Sequence, residues 1–495
     1  VSPSDHSLVR LLAGWLPGQR WFGGKDGPID DLAIGTATEL HTGEPGLHHL
    51  ILDVRQSGSV ERYQLLLGVR RELPGPLRPV EIGRLTGEHG IDGHVYDAVH
   101  DPELTRPLLA HMADATTVGP LRFRRAPAAV IRTDLDGVPS TAEQSNTSLI
   151  FGDAHILKLF RRLSTGVNPD LEVNLALTRG GSEHVPAVHG WIELEPGTDG
   201  GGAGDEPTTL ALLSEYLRSA TDGWQLALTS VRDWLAQPTT PPGPAAVPGS
   251  ETFTASDAGA AGGDFAAEAE RLGAATAAVH RDLAAAFGVT RATPARVRDT
   301  VFAMNEQLDQ VSAAVPEIRP HAHALREAFD ELAAGAGTLP VQRVHGDFHL
   351  GQVLRTDTGW MLLDFEGEPA RAPAERRAPA HPLRDVAGML RSFEYAARFL
   401  VARNGDLPPD TADALELRAR AWTERNRKAF CDGYAAAGGP DPAAHAALVR
   451  AFEFDKAVYE IRYEARNRPA WLPVPLKSLA HLTGPGGRGG QRSME

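Results

Sequence analysis

The spacing of apolar residues changes character once along this chain, and that change limits the possible folds more than any other feature. Before the first Gly-rich break the apolar residues come in short runs. HLILDV (His49 to Val54), a turn at Gln56, Ser57 and Gly58, and RYQLLLGV (Arg62 to Val69) predict a β-hairpin. AAVIRTDL (Ala128 to Leu135), TSLIFG (Thr147 to Gly152) and HILKLF (His155 to Phe160) are expected to be further strands, the last two joined tightly through Gly152 and Asp153. Beyond Asp264 the spacing becomes helical, with Phe265, Ala269, Leu272, Ala275, Val279, Leu283 and Phe287 recurring at three- and four-residue steps. Helices are also expected over Thr300 to Val315, Pro320 to Ala334, Arg384 to Arg403, Ala412 to Ala437 and Pro442 to Asn467. One short strand pair, near Val341 to Phe365, is embedded in this helical half. The order predicts an α+β plan with a cleft between two lobes.

Two segments rich in Gly and Pro, Glu195 to Pro207 and Gln237 to Asp264, read as linkers or surface loops, as does the tail from Gly484. The length of 495 residues suggests about three folding units at roughly 150 residues each. A net charge of −15 repels phosphate backbones and anionic lipid, so neither nucleic acid nor a membrane is an expected partner. Cys431 is the single cysteine, which excludes an intrachain disulfide and any multi-cysteine metal site and fits a reducing, cytoplasmic setting. No signal peptide and no apolar run of about 18 residues is found.

The densest polar cluster is VQRVHGDFHLGQVLRTDTGWMLLDFEGEP, from Val341 to Pro369. It predicts a short strand, a loop carrying His345, Asp347, His349 and Gln352, a strand around Val353, a turn at Thr356 to Gly359, and a strand containing Asp364. Two carboxylates are thereby delivered to the flanks of one hairpin. Phosphoryl transfer needs that arrangement: one carboxylate accepts or orients the proton of an attacking hydroxyl, and another holds Mg²⁺ on the nucleotide phosphates. Gln352, five residues past the first Asp, adds a further oxygen donor for the metal. The alternation His345, Asp347, His349 also has the look of a zinc site, but no cysteine lies near and few further ligands are at hand.

These strings resemble the catalytic and metal loops of protein-kinase-like enzymes, H-x-D-x-x-x-x-N followed by D-F-G. Here they read H-G-D-F-H-L-G-Q and L-D-F-E-G, with Gln352 in place of Asn and Glu366 at the glycine position, departures that point away from ordinary protein kinases. Such a site needs a lysine on an upstream strand with a helix carboxylate beside it. Lys158 in HILKLF and Glu172 in PDLEVNLAL answer to that need. The preceding stretch takes the place of a phosphate-covering loop without its glycines, and Gln144, Ser145, Asn146, Thr147 and Ser148 supply side-chain and backbone donors instead. LLSEYL, with Glu215 and Leu217, stands where a hinge would pass the adenine.

Taken together, RWFGGK near the N-terminus, EQSNTS, ILKLFRRL, NPDLE, HGDFHLGQ and LDFEGEP resemble the actinobacterial maltokinases, an aminoglycoside-phosphotransferase-like family. The resemblance implies a bilobal protein-kinase-like fold with an N-terminal cap subdomain (1–105), an intermediate subdomain completing a sheet-rich N-lobe (106–217), and a mostly helical C-lobe (218–495). It implies an enzyme that uses ATP and Mg²⁺ to convert maltose to maltose 1-phosphate for α-glucan synthesis. Carried over position by position, it makes Asp347 the catalytic base, Gln352 and Asp364 the Mg²⁺ ligands, Lys158 the phosphate lysine and Glu172 its partner. It gives His345 and Asp385 supporting roles in the catalytic and metal loops. Some members associate with trehalose synthase, which makes that enzyme a candidate partner.

Sugar recognition needs directional polar groups and aromatic faces. The stretch FEFDKAVYEIRYEARNRPAW offers Lys456, Tyr459, Glu460, Tyr463 and Asn467, of which all but Tyr459 share one side at three- and four-residue spacing. Arg391, Phe393 and Tyr395 are secondary candidates. A kinase of glucosamine or another amino sugar is the nearest alternative, and a non-catalytic kinase-shaped regulatory subunit is the alternative from a different class.

Overall fold

The computed structural model describes residues 6–25, 27–88, 91–140, 145–197, 206–236, 264–335, 337–368, 373–403 and 408–484. Gln144, most of both Gly- and Pro-rich breaks, and the tail past Gly484 lie outside the described residues. The chain divides into two compact units, one of Val1–Thr178 with Pro186–Arg218 and the other of Arg179–Val185 with Ser219–Glu495.

The first unit begins with α1 (His6–Trp15), β1 (Asp31–His41), β2 (Gly46–Gln56), β3 (Ser59–Arg70), β4 (Glu81–Glu88), β5 (Ile91–Asp97) and α2 (Pro102–Ala113). The hairpin expected around Ser57 and Gly58 is β2–β3, in register from Gln56 opposite Ser59 to Gly46 opposite Val69. Ser57 and Gly58 both take positive φ, +48° and +80°, the turn that matches the right-handed twist of paired strands. On one face Leu50, Leu52, Val54, Tyr63, Leu65 and Leu67 alternate inward and meet Leu8 and Leu12 of α1 and Leu16 just after it, spaced four residues apart. Trp21 packs against this core.

The unit continues with β6 (Thr117–Val118), β7 (Leu121–Arg125), β8 (Gly137–Pro139), β9 (Thr147–Phe151), β10 (His155–Leu159), β11 (Arg162–Leu163), α3 (Pro169–Gly180), β12 (Val188–Leu194) and β13 (Thr208–Glu215). Among the described residues of this unit two antiparallel sheets form: β1-β2-β3-β5-β4 with β11 added on β3, and β6-β7-β12-β13-β10-β9-β8. Leu149, Phe151, Leu157, Leu159 and Ile192 from the second sheet share a core with Leu104, Leu108 and Met112 of α2. The strand expected over Ala128 to Leu135 does not form. Ile131 is buried there while Val130 is 81% exposed, so the segment lacks the alternating buried face that pays for strand pairing, and Pro127 has no N–H to donate.

The second unit holds β14 (Thr221–Asp222), α4 (Gly223–Leu235), α5 (Ala266–Phe287), β15 (Val289–Ala292), α6 (Pro294–Ala314), α7 (Ala322–Ala334), β16 (Leu339–Gln342), β17 (Val353–Arg355), β18 (Trp360–Leu362), α8 (Leu383–Arg403), α9 (Pro409–Ala436), α10 (Ala446–Asn467) and α11 (Pro473–Thr483). The five expected helices after Phe287 correspond to α6 to α10, with ends shifted by a few residues. Helix α5 lies against α9 at glycine contacts, where a Cβ on Gly273 or Gly433 would strike the opposite backbone. Among the described residues no helix is long and apolar enough to cross a membrane. The result is a mixed α/β, kinase-like architecture, sheet-rich in its N-terminal part and helical in its C-terminal part.

Candidate active site

Between β16 and β17 the chain forms the loop that carries Asp347. Gly346 adopts φ +85°, a conformation that strains any residue with a Cβ, and this accounts for the glycine before the aspartate. Asp385 in the first turn of α8 accepts from the backbone N–H of His345 at 2.7 Å and of Gly346 at 2.9 Å. His345 Nε2 donates to the carbonyl of Leu363 at 2.8 Å, tying the Asp347 loop to the Asp364 loop. His345 thus links the two loops, while Asp385, expected to hold the metal loop, is bonded to the catalytic loop instead, because the first turn of α8 sets its carboxylate beneath the His345 and Gly346 amides. Gly388 lets α8 approach closely, since a Cβ there would come within 2.6 Å of the Phe348 carbonyl oxygen.

Behind Asp385 lies a buried polar chain that sequence reasoning missed. His280 of α5 is bonded to Asp385 Oδ2 at 2.9 Å through Nε2 and to the Tyr434 hydroxyl of α9 at 2.9 Å through Nδ1. The carboxylate can only accept, so Nε2 carries the hydrogen, and in the neutral ring Nδ1 accepts from Tyr434. Burial raises the Asp385 pKa, but the His280 contact and the Gly346 N–H more than reverse this and hold the group ionised below the usual carboxylate range.

Lys456 of α10 joins two carboxylates. Its Nζ donates to Asp347 Oδ1 at 2.8 Å and to Glu368 Oε1 at 3.0 Å, and it sits 4.5 Å from the centre of the Tyr459 ring. Burial pushes the Asp347 carboxyl up, yet the Lys456 ammonium, with His349 and His345 nearby, pulls it down to about 2. Burial works against the charge on Lys456 as well, but Asp347 and Glu368 raise its pKa above the usual lysine range. Glu368 was legible only as part of the string DFEGEP. No local signal marks it as a partner of a residue 88 positions away.

In the second loop, Asp364 follows β18 rather than lying within it and holds φ +63°, an uncommon value for a residue with a side chain. Gln352 Nε2 contacts Asp364 Oδ2 at 3.1 Å, so the two expected metal ligands are adjacent. A carboxylate oxygen of Glu366 lies within 4.8 Å of one from Asp364. The residue that departs from the kinase glycine thus brings a further hard oxygen to the same loop. This donor set, carboxylates with an amide group, suits Mg²⁺.

In the first unit, Lys158 stands opposite Ser148 of β9 and Leu212 of β13. Its Nζ donates to Asp170 Oδ2 at 3.0 Å. Glu172 was the carboxylate expected here, and the structure also sets Asp170, two positions earlier in α3, on the lysine. The cause is the start of α3. Asn168 accepts from the Asp170 N–H at 2.8 Å and begins the helix, and Asp170 is buried at 3% exposure whereas Glu172 is half-buried. Of the covering loop, Ser145 and Asn146 form a bend, Ser148 is buried in β9, and the Thr147 hydroxyl accepts from Arg161 Nε at 2.8 Å. Glu215 ends β13 with an exposed side chain, Leu217 follows half-buried, and the chain passes into the second unit after Arg218.

The α10 residues separate into different environments. Lys456 and Tyr459 line the small hollow at Asp347. Glu460 is turned to the buried Arg391 at 2.6 Å, Tyr463 stacks on Tyr459 with ring centres 6.2 Å apart, and Asn467 bonds back to the Tyr463 carbonyl at 2.9 Å. The hollow shares Glu368, Arg384, Phe452, Asp455 and Tyr459 with a cavity of about 550 Å³ that runs on to α6.

A catalytic-type loop, an oxygen-donor loop on a hairpin and a lysine on a strand define a kinase-like phosphotransferase. Residues 15–101 match the model of the maltokinase N-terminal cap domain, and residues 256–448 match that of the phosphotransferase enzyme family. A glucosamine kinase of Streptacidiphilus jiangxiensis is 32% identical over 352 residues, 69% of this chain and 72% of that protein. A glucosamine kinase of Mycolicibacterium smegmatis is 30% identical over 360 residues, 70% of this chain and 79% of that protein. Among solved structures, a glucosamine kinase in complex with glucosamine, ADP and inorganic phosphate superposes with a TM-score of 0.64 at 25% identity, covering 97% of this chain and 100% of that one. Another crystal form of glucosamine kinase gives 0.66 at 26% identity, over 96% of this chain and 99% of that one. The chain belongs to the capped, aminoglycoside-phosphotransferase-like sugar kinases. It is a nucleotide-using phosphotransferase with an alcohol group as acceptor.

Proposed function

We propose that this kinase transfers the γ-phosphoryl group of ATP to the anomeric hydroxyl of maltose, giving maltose 1-phosphate. The observation that carries this reading is that Lys456 already pairs with the carboxylates at the heart of the hollow at Asp347. Its two innermost carboxylates, Asp347 and Glu368, share the ammonium of Lys456, and Asp455 lies 4.0 Å from Arg384. The hollow keeps a net negative charge, but Lys456 is bonded to both of these carboxylates, so an acceptor's own ammonium would have to compete with a cation already in place, whereas a neutral sugar would not. The adjoining cavity of about 550 Å³ is larger than a single pyranose ring fills.

In this reading Asp347, ionised at neutral pH, receives the proton of the acceptor hydroxyl as that oxygen attacks phosphorus. Lys456 keeps the carboxylate charged and aimed, and Asp385 with His345 fixes the loop that presents it. Lys158 neutralises nucleotide phosphate charge, with Asp170 holding its ammonium in position. Asp364, Gln352 and Glu366 would hold Mg²⁺, which when bound neutralises charge on the phosphates. Use of the product in α-glucan synthesis, a cytoplasmic location and association with trehalose synthase belong to the same reading and rest on the family resemblance.

The second reading is an amino-sugar kinase, favoured by the relatives named glucosamine kinase. ADP release with ATP and Mg²⁺ against maltose, glucose and glucosamine, followed by ³¹P NMR of the product, separates the two. Maltose-dependent turnover with phosphate on the anomeric carbon is expected, and turnover on glucosamine alone would replace the acceptor.

A further inference from the structure

The cavity beside Asp347 extends farther than one reacting sugar requires, and its far wall is a single face of α6. Arg296, Thr300, Ala303, Met304 and Gln307 recur there at three- and four-residue spacing. At ~1.5 Å per residue the stretch from Arg296 to Gln307 is roughly 16 Å long. Apolar groups, Val297 and Met304 on α6 and Leu448 and Phe452 on α10, alternate with polar ones along it. That mixture suits a pyranose, whose C–H faces pack on apolar surface while its hydroxyls need directional partners. The side chain of Gln307 adds an independent sign. Its Nε2 is buried with no hydrogen-bond partner, at a position whose residue lines the cavity. An orphaned amide donor is unfavourable unless something brings an acceptor to it, and rotation of the terminal amide turns either its nitrogen or its oxygen toward the cavity.

We infer that the α6 wall is the subsite for the second ring of a disaccharide acceptor, with Gln307 as the residue that selects two linked rings over one. This rests on the neutral-sugar reading of the acceptor. The ring that reacts lies at the end of the cavity that adjoins the small hollow at Asp347, beside Glu368 and Tyr459, and the ring linked to it lies along α6, where Gln307 and Thr300 meet its hydroxyls. Ala303 is exposed on the same face, so a large side chain there fills the subsite without disturbing the core of the helix.

The test uses the full chain with ATP, Mg²⁺ and maltose, comparing wild type with Gln307→Ala and Ala303→Trp. Gln307→Ala raises the KM for maltose about fivefold, the loss of one net hydrogen bond, while kcat and the KM for ATP stay within twofold. Ala303→Trp lowers kcat/KM for maltose roughly tenfold or more through KM, with an unchanged thermal midpoint as the control for folding. A wild type that uses maltose, together with unchanged KM in both variants, would overturn the subsite and leave the acceptor reading standing. A wild type active on glucosamine and silent on maltose would overturn the acceptor reading, and the subsite with it.

Discussion

Lys158 in the sheet-rich unit and Lys456 in the helical unit are both ammonium groups withdrawn from water, and they are held in contrasting ways. Lys158 sits on a strand, and Asp170, its carboxylate partner, is 12 residues further along at the start of the next helix. Lys456 binds carboxylates 109 and 88 residues away, one in each of two loops. The first arrangement is a local strand–helix unit, in which pairing follows once the helix begins. The second exists only when α10 has packed beside both loops, so the charge at Asp347 depends on the fold of the whole helical unit. The contrast predicts that Lys158 affects nucleotide handling and local stability, whereas Lys456 governs the acidity of the proposed base and the charge of the acceptor.

The largest effect expected is on the helical side. Asp347→Asn removes the proposed proton acceptor and lowers turnover by about 10²–10⁴ in an ADP-release assay. A variant turning over near the wild-type rate would remove Asp347 from the chemistry. On the sheet side, Lys158→Met leaves Asp170 buried without this cation, a loss of about 3–5 kcal/mol in denaturant unfolding together with a higher KM for ATP. Adding Asp170→Asn removes the stranded charge and recovers most of the stability but none of the activity. If stability and ATP affinity recovered together, the pair would be structural only.

A smaller effect separates the two lysines by pH. With Lys456 present, the Asp347 carboxyl sits at about 2, below its usual 3.8, so the base stays ionised throughout the ordinary assay range. In Lys456→Met the opposing effect of burial dominates, the carboxyl rises above 3.8, and activity falls on acidification at a higher pH than in the wild type. Lys158→Met leaves that acid limb unmoved. The stability carried by the depressed Asp347 has the corresponding sign: complete above pH 3.8, it is lost as pH falls toward 2.

The smallest expected effect concerns histidines buried in both units. Burial lowers His49 and His155 in the first unit and His381 in the second from 6.5 to about 4. A histidine lowered on folding stabilises fully above 6.5 and loses that contribution as pH falls toward 4, because the unfolded chain then binds the extra proton. The thermal midpoint should therefore drop between pH 7.5 and pH 5. In His49→Gln, which can keep a hydrogen bond to Gln64, the drop should be shallower.

What the sequence revealed follows the same divide between local and long-range order. Asp347, Gln352 and Asp364 were legible because one hairpin of 18 residues carries them all. The β2–β3 hairpin was legible from its turn, and α5 from its apolar stripe. Asp170 as a partner of Lys158 was missed on the helix where Glu172 was expected, since side-chain spacing alone does not tell where α3 starts. Ala128 to Leu135 looked like a strand from its apolar letters, and only burial shows that it has no face to pack. Glu368, His280, Tyr434 and Gln307 escaped because their roles arise where distant helices meet, and no spacing within one segment encodes such a meeting. Of the sugar-face residues, Lys456 and Tyr459 reach the hollow, whereas Glu460 turns to Arg391 on α8. Helical spacing assigns a side but not which neighbour lies there.

The central claim is that the ammonium of Lys456, shared by Asp347 and Glu368, makes this a kinase of neutral sugars. The most direct measurement is kcat/KM for maltose and for glucosamine, side by side, in the wild type and in Lys456→Met. A general loss of activity cancels in the ratio. The wild type should prefer maltose, and removing the cation should shift the ratio toward glucosamine by roughly tenfold or more, since the two freed carboxylates then attract an ammonium. A ratio that is the same in both proteins, or a wild type that already prefers glucosamine, would contradict the account.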